Sequence, residues 1–207
     1  MVVMIIVDVE TTGLNPEKNS IVSIGAVDFN KPLDQFYQEC HVWDGAEIDD
    51  YALKVNGFTR EQVTDLSKKT LNEIITEFLA WTSNNSDMTL AGENPGFDRD
   101  FLENSAKRYG LKWPFGYRTV DLHALSYAHH LSNGTTLPLK KNRTDINLNT
   151  TLLYVGLPEE PNPHIAITGA KMEAEAFSRI IHGKNLLKEF KQYAIPEYLQ
   201  GEIDYDE

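Results

Sequence analysis

The chain opens on a near-continuous apolar run, Val2 to Val9, rich in β-branched residues. A run of this kind, without alternating polar positions, predicts a strand covered on both faces. Thr11 to Pro16 has the Gly and Pro content of a turn. Ile21 to Phe29 and Gln35 to Trp43 follow as second and third strands, and their short connections predict an antiparallel meander. The period then changes. Ala46 to Asn56 and Thr59 to Leu66 read as short helices. Between Thr70 and Trp81, apolar Leu71, Ile74, Ile75, Phe78 and Leu79 recur at helical spacing. Thr59 with Gln62, and Thr70 with Glu73, have the spacing of capping boxes.

Met88 to Ala91 reads as a short strand, and Gly96 to Tyr109 as a helix stopped by Gly110. Tyr117 to Val120 is a further strand, and Asp121 to His130 a helix. Leu131 to Asp145, rich in Ser, Asn, Gly, Pro and Lys, predicts a long loop. Asn147 to Val155 is a short helix ended by Gly156. Ile165 to His182 is a long helix, which Asn185 to Tyr193 continues or follows. Early strands followed by alternating helices and short strands predict a single α/β domain on a mixed sheet. No repeat or internal boundary interrupts the pattern. The domain is expected over residues 1–193, with an acidic tail over 194–207.

With 207 residues the chain is long enough to cover a central sheet on both faces. No apolar stretch approaches the roughly 20 residues of a membrane helix. The start lacks the charged segment and cleavage site of a signal peptide. Cys40 is the single cysteine, so no internal disulfide forms, and a cytoplasmic location without a membrane partner is expected. The net charge of −12 argues against a long footprint on duplex nucleic acid. Short single strands or free 3′ ends suit it better, because carboxylates that hold divalent metals can meet phosphates through those metals.

The densest chemistry is Asp8-Val9-Glu10 at the end of the first strand, followed by Thr11-Thr12-Gly13. Residues i and i+2 of a strand share a face, so two carboxylates stand side by side. Their repulsion is relieved by a divalent cation, which takes hard oxygen ligands. A solvated polar strand end is the competing reading of the same residues. His164, taken alone, reads as a cap or surface residue. Lys140-Lys141-Asn142-Arg143, the only basic cluster, reads as a solvated loop or as a clamp on a nucleic-acid backbone.

Beyond single residues, the run from Ile6 to Leu14 followed by Ile21-Val22-Ser23-Ile24-Gly25-Ala26 resembles the first motif of the DEDD exonuclease superfamily. That family includes the polymerase proofreading subunit, ribonuclease T and oligoribonuclease. Asn94-Pro95-Gly96-Phe97-Asp98-Arg99-Asp100 resembles its second motif, with Asp98 as the third acid. His164-Ile165-Ala166 and Ala170-Lys171-Met172-Glu173-Ala174 resemble its third, of the DEDDh type. The resemblance implies a ribonuclease H-like fold and a 3′–5′ exonuclease of single-stranded DNA or RNA using two Mg²⁺ or Mn²⁺ ions. It implies that Asp8 bridges the ions and Glu10 helps to hold one. Asp98 acts directly or through a bound water, and His164 is the general base. Thr11, Thr12, Gly13, Leu14 and Asn94 are the implied substrate-binding positions. Phe97 reads as a core aromatic, and Asp121 as a helix cap or a supporting group.

The family places an Asp five residues after the His of its third motif, and here that residue is Gly169. Glu173 lies one helical turn further on, Glu175 is on another face, and Glu93 adds an acid before the second motif. A lost ligand predicts weak metal binding and slow turnover, which Gly169→Asp is expected to restore by orders of magnitude. The alternative is a catalytically degenerate module that binds 3′ ends. A weaker third reading is a phosphodiesterase of small nucleotides.

Overall fold

A computed structural model describes residues 4–83 and 88–200. Val2 and Val3 of the expected first strand, and residues 201–207 of the expected acidic tail, lie outside the described residues. The first strand, β1 (Ile5–Thr11), pairs antiparallel with β2 (Ile21–Asp28), which pairs antiparallel with β3 (Gln35–Glu39). This is the expected meander. Helices α1 (Asp50–Asn56), α2 (Arg60–Val63) and α3 (Leu71–Thr82) follow. Both capping boxes are present, Thr59 with Gln62 and Thr70 with Glu73. The strand β4 (Leu90–Gly92) runs parallel to β1, and after α4 (Gly96–Arg108) the short β5 (Val120–Asp121) runs parallel to β4. The sheet order is β3-β2-β1-β4-β5. Then come α5 (Leu122–Ser132), the short strands β6 (Leu139–Lys140) and β7 (Arg143–Thr144), α6 (Leu148–Tyr154) and α7 (Ala166–His182).

The β6–β7 pair corrects the long loop expected there. Lys141 and Asn142 both have positive φ, 51° and 60°, and join the two strands. A two-residue link of that kind matches the twist of a hairpin. The usual signal, Gly after Asn or Asp between alternating apolar residues, is missing, so composition pointed to a loop. A second correction falls on Asn185 to Tyr193. Gly183, in the left-handed conformation (φ 59°), ends α7, and only a 3-10 turn at Lys188–Phe190 follows. Packing also continues past residue 193: Glu197–Leu199 forms another 3-10 turn, and Leu199 is buried in the core.

The pleat of β1 divides the core. Ile5, Val7 and Val9 face one layer with Ile74, Phe78, Phe101 and Leu102 from α3 and α4. Met4 and Ile6 face the other with Leu122, Leu152, Ala170, Ala174 and Phe177 from α5, α6 and α7. Phe78 and Phe177 are wholly buried, each stabilising by about 1.5–3 kcal/mol. Phe97 packs on Phe101 in the first layer, as expected. The even-numbered positions of β1 therefore point at α7. That helix comes unusually close to the sheet, since a Cβ on Gly25 of β2 would overlap the backbone of Ala166 and Ile167. No described helix is long and apolar enough to cross a membrane.

Candidate active site

Two features of the fold bring the acids together. Asp8 and Glu10 share the even parity of β1, which turns them toward the N-terminal half of α7. On the neighbouring edge, β4 pairs with β1 only at Ile5 and Ile6. Beyond that point the edge of β1 is open, and Asp98 in the first turn of α4 fills it. Its Oδ1 accepts a hydrogen bond from the Val9 N–H at 2.9 Å. Asp98 is thereby held close enough to raise both Asp8 and Glu10.

The electrostatics follow from crowding in a dry place. Asp8 is held well above the usual carboxylate range, first by burial and then by Glu10, Asp98 and Glu160. Burial, Glu160 and Asp98 raise Glu10 to about 7. Burial raises Asp98 to about 7 against the opposing N–H groups of Val9 and its own backbone. Burial, then Asp8 and Asp98, place Glu173 far above its ordinary value. Among the described residues no three His, Cys, Asp and Glu side chains are gathered tightly enough to form a finished cation site. The arrangement is a cluster of mutually repelling carboxylates that partial protonation or cations can relieve.

The donor set suits hard divalent ions, being all oxygen and including acceptors with no partner. Glu160 Oε1 and Glu173 Oε2 are buried without a hydrogen bond. Such atoms are costly unless something positive meets them. His164 lies at the mouth, its side chain 32% exposed, with Nδ1 3.5 Å from Glu160 Oε2. Its backbone N–H donates to Val55 O at 3.2 Å, which fastens this segment to α1.

The turn after β1 is organised from within. Thr11 Oγ1 donates to Gly13 O, and Thr12 Oγ1 donates to Glu47 O, both at 2.7 Å. Thr12 is also fully buried, so its hydroxyl builds the turn and does not face a ligand. Gly13 fits against the Asn19 side chain, where a Cβ would collide. Leu14 projects outward, 83% exposed. Asn94 has φ 53°, and its N–H donates to Asp121 Oδ1 at 3.3 Å. Asp121 caps α5 by accepting from His123 N–H at 2.9 Å. Glu93 is raised to about 7 by burial and by Asp121, and its Oε1 lies 3.7 Å from His123 Nδ1. Glu175 is apart from the site, in a fully buried pair with Arg179 at 3.0 Å.

The residue missed by the sequence reading is Glu160. It is 7% exposed and turned inward, in the segment Pro158-Glu159-Glu160-Pro161 before His164. Its backbone N–H donates to Asn149 Oδ1 of α6 at 2.9 Å. An acid four residues before the His, flanked by prolines, was the available signal.

A mixed sheet with acids on its central strand, on a helix start and beside a long C-terminal helix defines the class of ribonuclease H-like nucleases. The exonuclease family model (RNase_T) matches residues 5–177, and the chain belongs to that family. It is 28% identical over 204 residues to a PolC-type DNA polymerase III of Thermotoga petrophila, covering 97% of this chain and 13% of the polymerase. The chain thus spans about an eighth of the length of that relative. Among solved structures, the nuclease domain of 3′hExo, a DEDDh family member bound to rAMP, superposes with a TM-score of 0.66 at 19% identity. That match covers 90% of this chain and 94% of the other. Escherichia coli exonuclease I in complex with a dA16 oligonucleotide gives 0.68 at 15% identity, over 88% and 42% of the two chains.

Proposed function

We propose that this chain is a metal-dependent exonuclease that removes nucleotides from the 3′ end of single-stranded DNA or RNA. The observation that carries the reading is the anchoring of Asp98 on the Val9 N–H, beside Asp8 and Glu10, in a chain of the exonuclease family. Asp8, Glu10 and Asp98 would hold the cations, two Mg²⁺ or Mn²⁺ ions. These would generate hydroxide near neutral pH and stabilise charge on the attacking and leaving oxygens.

The protein's own residues do the rest. His164 takes the proton of the attacking water, reached from solvent on its exposed side and steadied at Nδ1 by Glu160. Leu14 packs on the terminal nucleotide, and the backbone of the Thr11–Gly13 turn borders it. The Asn94 backbone, held by Asp121, shapes the opposite wall. Occupancy of the site by a short 3′ end, not by a duplex, agrees with the net charge of −12.

The test is degradation of oligonucleotides labelled at either end, with Mn²⁺ and with chelator. Release of labelled mononucleotide first from the 3′-labelled strand, abolished by chelator, is expected. Chelator-resistant cleavage, or cutting of a circular strand, overturns the reading. A chain that binds 3′ ends without degrading them would be the degenerate module.

A further inference from the structure

We infer that Glu160 supplies the fourth carboxylate of the site, standing from the loop before α7 in the space that Gly169 leaves open on the helix. The inference rests on the metal-dependent reading above and assigns one more of the chain's residues to that site.

A Cβ on Gly169 would overlap Asp8 Oδ2 and lie 3.1 Å from Glu160 Oε1. Carboxylate oxygens from two other segments therefore already fill the place where a side chain at 169 would begin. The glycine is what admits them. In a helix interior glycine costs roughly 0.5–1 kcal/mol relative to Ala, and this close approach is its purpose.

Glu160 is directed there by construction. Asn149 of α6 fixes its backbone, and His164 Nδ1 lies 3.5 Å from its Oε2. The other oxygen, Oε1, is buried and has no hydrogen-bond partner. A buried carboxylate oxygen aimed at Asp8, with no donor of its own, is a position for a cation. Glu173, the other acid near α7, is placed differently. Its Oε2 lies 2.9 Å from a Cβ position on Gly92, and the Glu93 N–H donates to its carboxylate, so it joins the end of β4 to the helix. An acid one turn along the helix therefore does not replace residue 169. An acid from outside the helix does, and it also contacts the His.

The experiment measures Mn²⁺ affinity of the full chain by calorimetry, without nucleic acid, alongside apo melting temperature and nuclease rate. Glu160→Gln keeps the shape and removes the charge. It is expected to weaken Mn²⁺ binding by at least about ten-fold, to lower the nuclease rate, and to leave the apo melting temperature at pH 8 equal or higher. A purely structural role would lower that temperature and spare the affinity. Wild-type affinity in Glu160→Gln, with loss in Asp98→Asn, overturns the inference and leaves the exonuclease reading intact. Loss in Glu173→Gln but not in Glu160→Gln overturns it equally. Absence of chelator-sensitive 3′ degradation by a wild-type chain that needs Glu160 to bind Mn²⁺ refutes the exonuclease reading alone.

Discussion

The Val9 N–H and Asp98 Oδ1 meet at 2.9 Å across 89 positions of sequence. This contact decides the geometry of the acidic cluster, because it fixes the start of α4 against the one stretch of β1 that β4 leaves unpaired. Asp98 is therefore both a structural acceptor and a charge in the site. Asp98→Ala strands a buried N–H and should lower stability by about 1–3 kcal/mol. Asp98→Asn keeps an acceptor oxygen in place, so the fold should hold while Mn²⁺ binding and nuclease activity collapse. Urea denaturation beside a nuclease assay separates the two. Equal destabilisation by both substitutions would show that the contact with Val9 depends on charge.

Proton linkage gives a second prediction, with its sign fixed by the direction of the shifts. Burial raises Asp98 from 3.8, and Glu10 from 4.5, to about 7 in each case. Between those limits the folded protein binds more protons than the unfolded chain. The stability these groups contribute is complete below about pH 4 and lost as pH rises through about 7. The melting temperature of Asp98→Asn minus that of wild type, both without metal, should therefore increase from pH 4 to pH 8. Mn²⁺ should stabilise the wild type more at pH 8 than at pH 5, because the ligands must first lose their protons. Scanning calorimetry at several pH values checks both. A difference that stays flat or falls with pH would refute the proposed crowding.

The packing around Gly169 supports a prediction opposite to the one drawn from sequence. A side chain there meets Asp8 and Glu160 before it reaches any cation. Gly169→Ala should improve helix propensity by about 0.5–1 kcal/mol, yet lower Mn²⁺ affinity by displacing Asp8. Gly169→Asp on its own should do the same and add a further repelling charge. Titration of each variant with Mn²⁺ is the check. A gain in nuclease rate by Gly169→Asp alone would restore the sequence-based expectation.

The legible and the hidden parts of this protein differ in how far apart the interacting residues lie. Local rules located the meander, both capping boxes, the stop of α4 near Gly110 and the pairing of Asp8 with Glu10 on one face. Each depends on residues within one element. The β6–β7 hairpin was hidden because its turn uses Lys141 and Asn142 at positive φ instead of a glycine. Glu160 was hidden for a different reason. Its position depends on Asn149 from another helix and on a void at Gly169, and neither is a property of its neighbours in sequence. The Thr12 hydroxyl is used inside the turn, which leaves to Thr12 only a backbone role toward a ligand. A motif identifies which residues gather, while packing decides which of their atoms remain available.

Leu14 offers a test of substrate contact that leaves the acids untouched. A large apolar side chain 83% exposed beside a buried acidic cluster contributes little to folding. Its neighbours in the turn are held by Thr11, Thr12 and Asn19, so the backbone at this point does not depend on the Leu14 side chain. Leu14→Ala should change stability by no more than about 0.5 kcal/mol. Mn²⁺ affinity should be unchanged, since no ligand is altered. If the side chain packs on the terminal nucleotide, the variant loses contact area that substrate and transition state share. KM for a short oligonucleotide should then rise by several-fold, up to about the ten-fold that 1.4 kcal/mol represents. The value of kcat should move much less. Leu14→Met, with similar volume and apolar character, should recover most of the affinity. Steady-state kinetics on a labelled single strand measure both constants. An unchanged KM would remove Leu14 from the substrate site. A fall in kcat at constant KM would mean that it positions the reacting phosphate instead of gripping the terminal nucleotide.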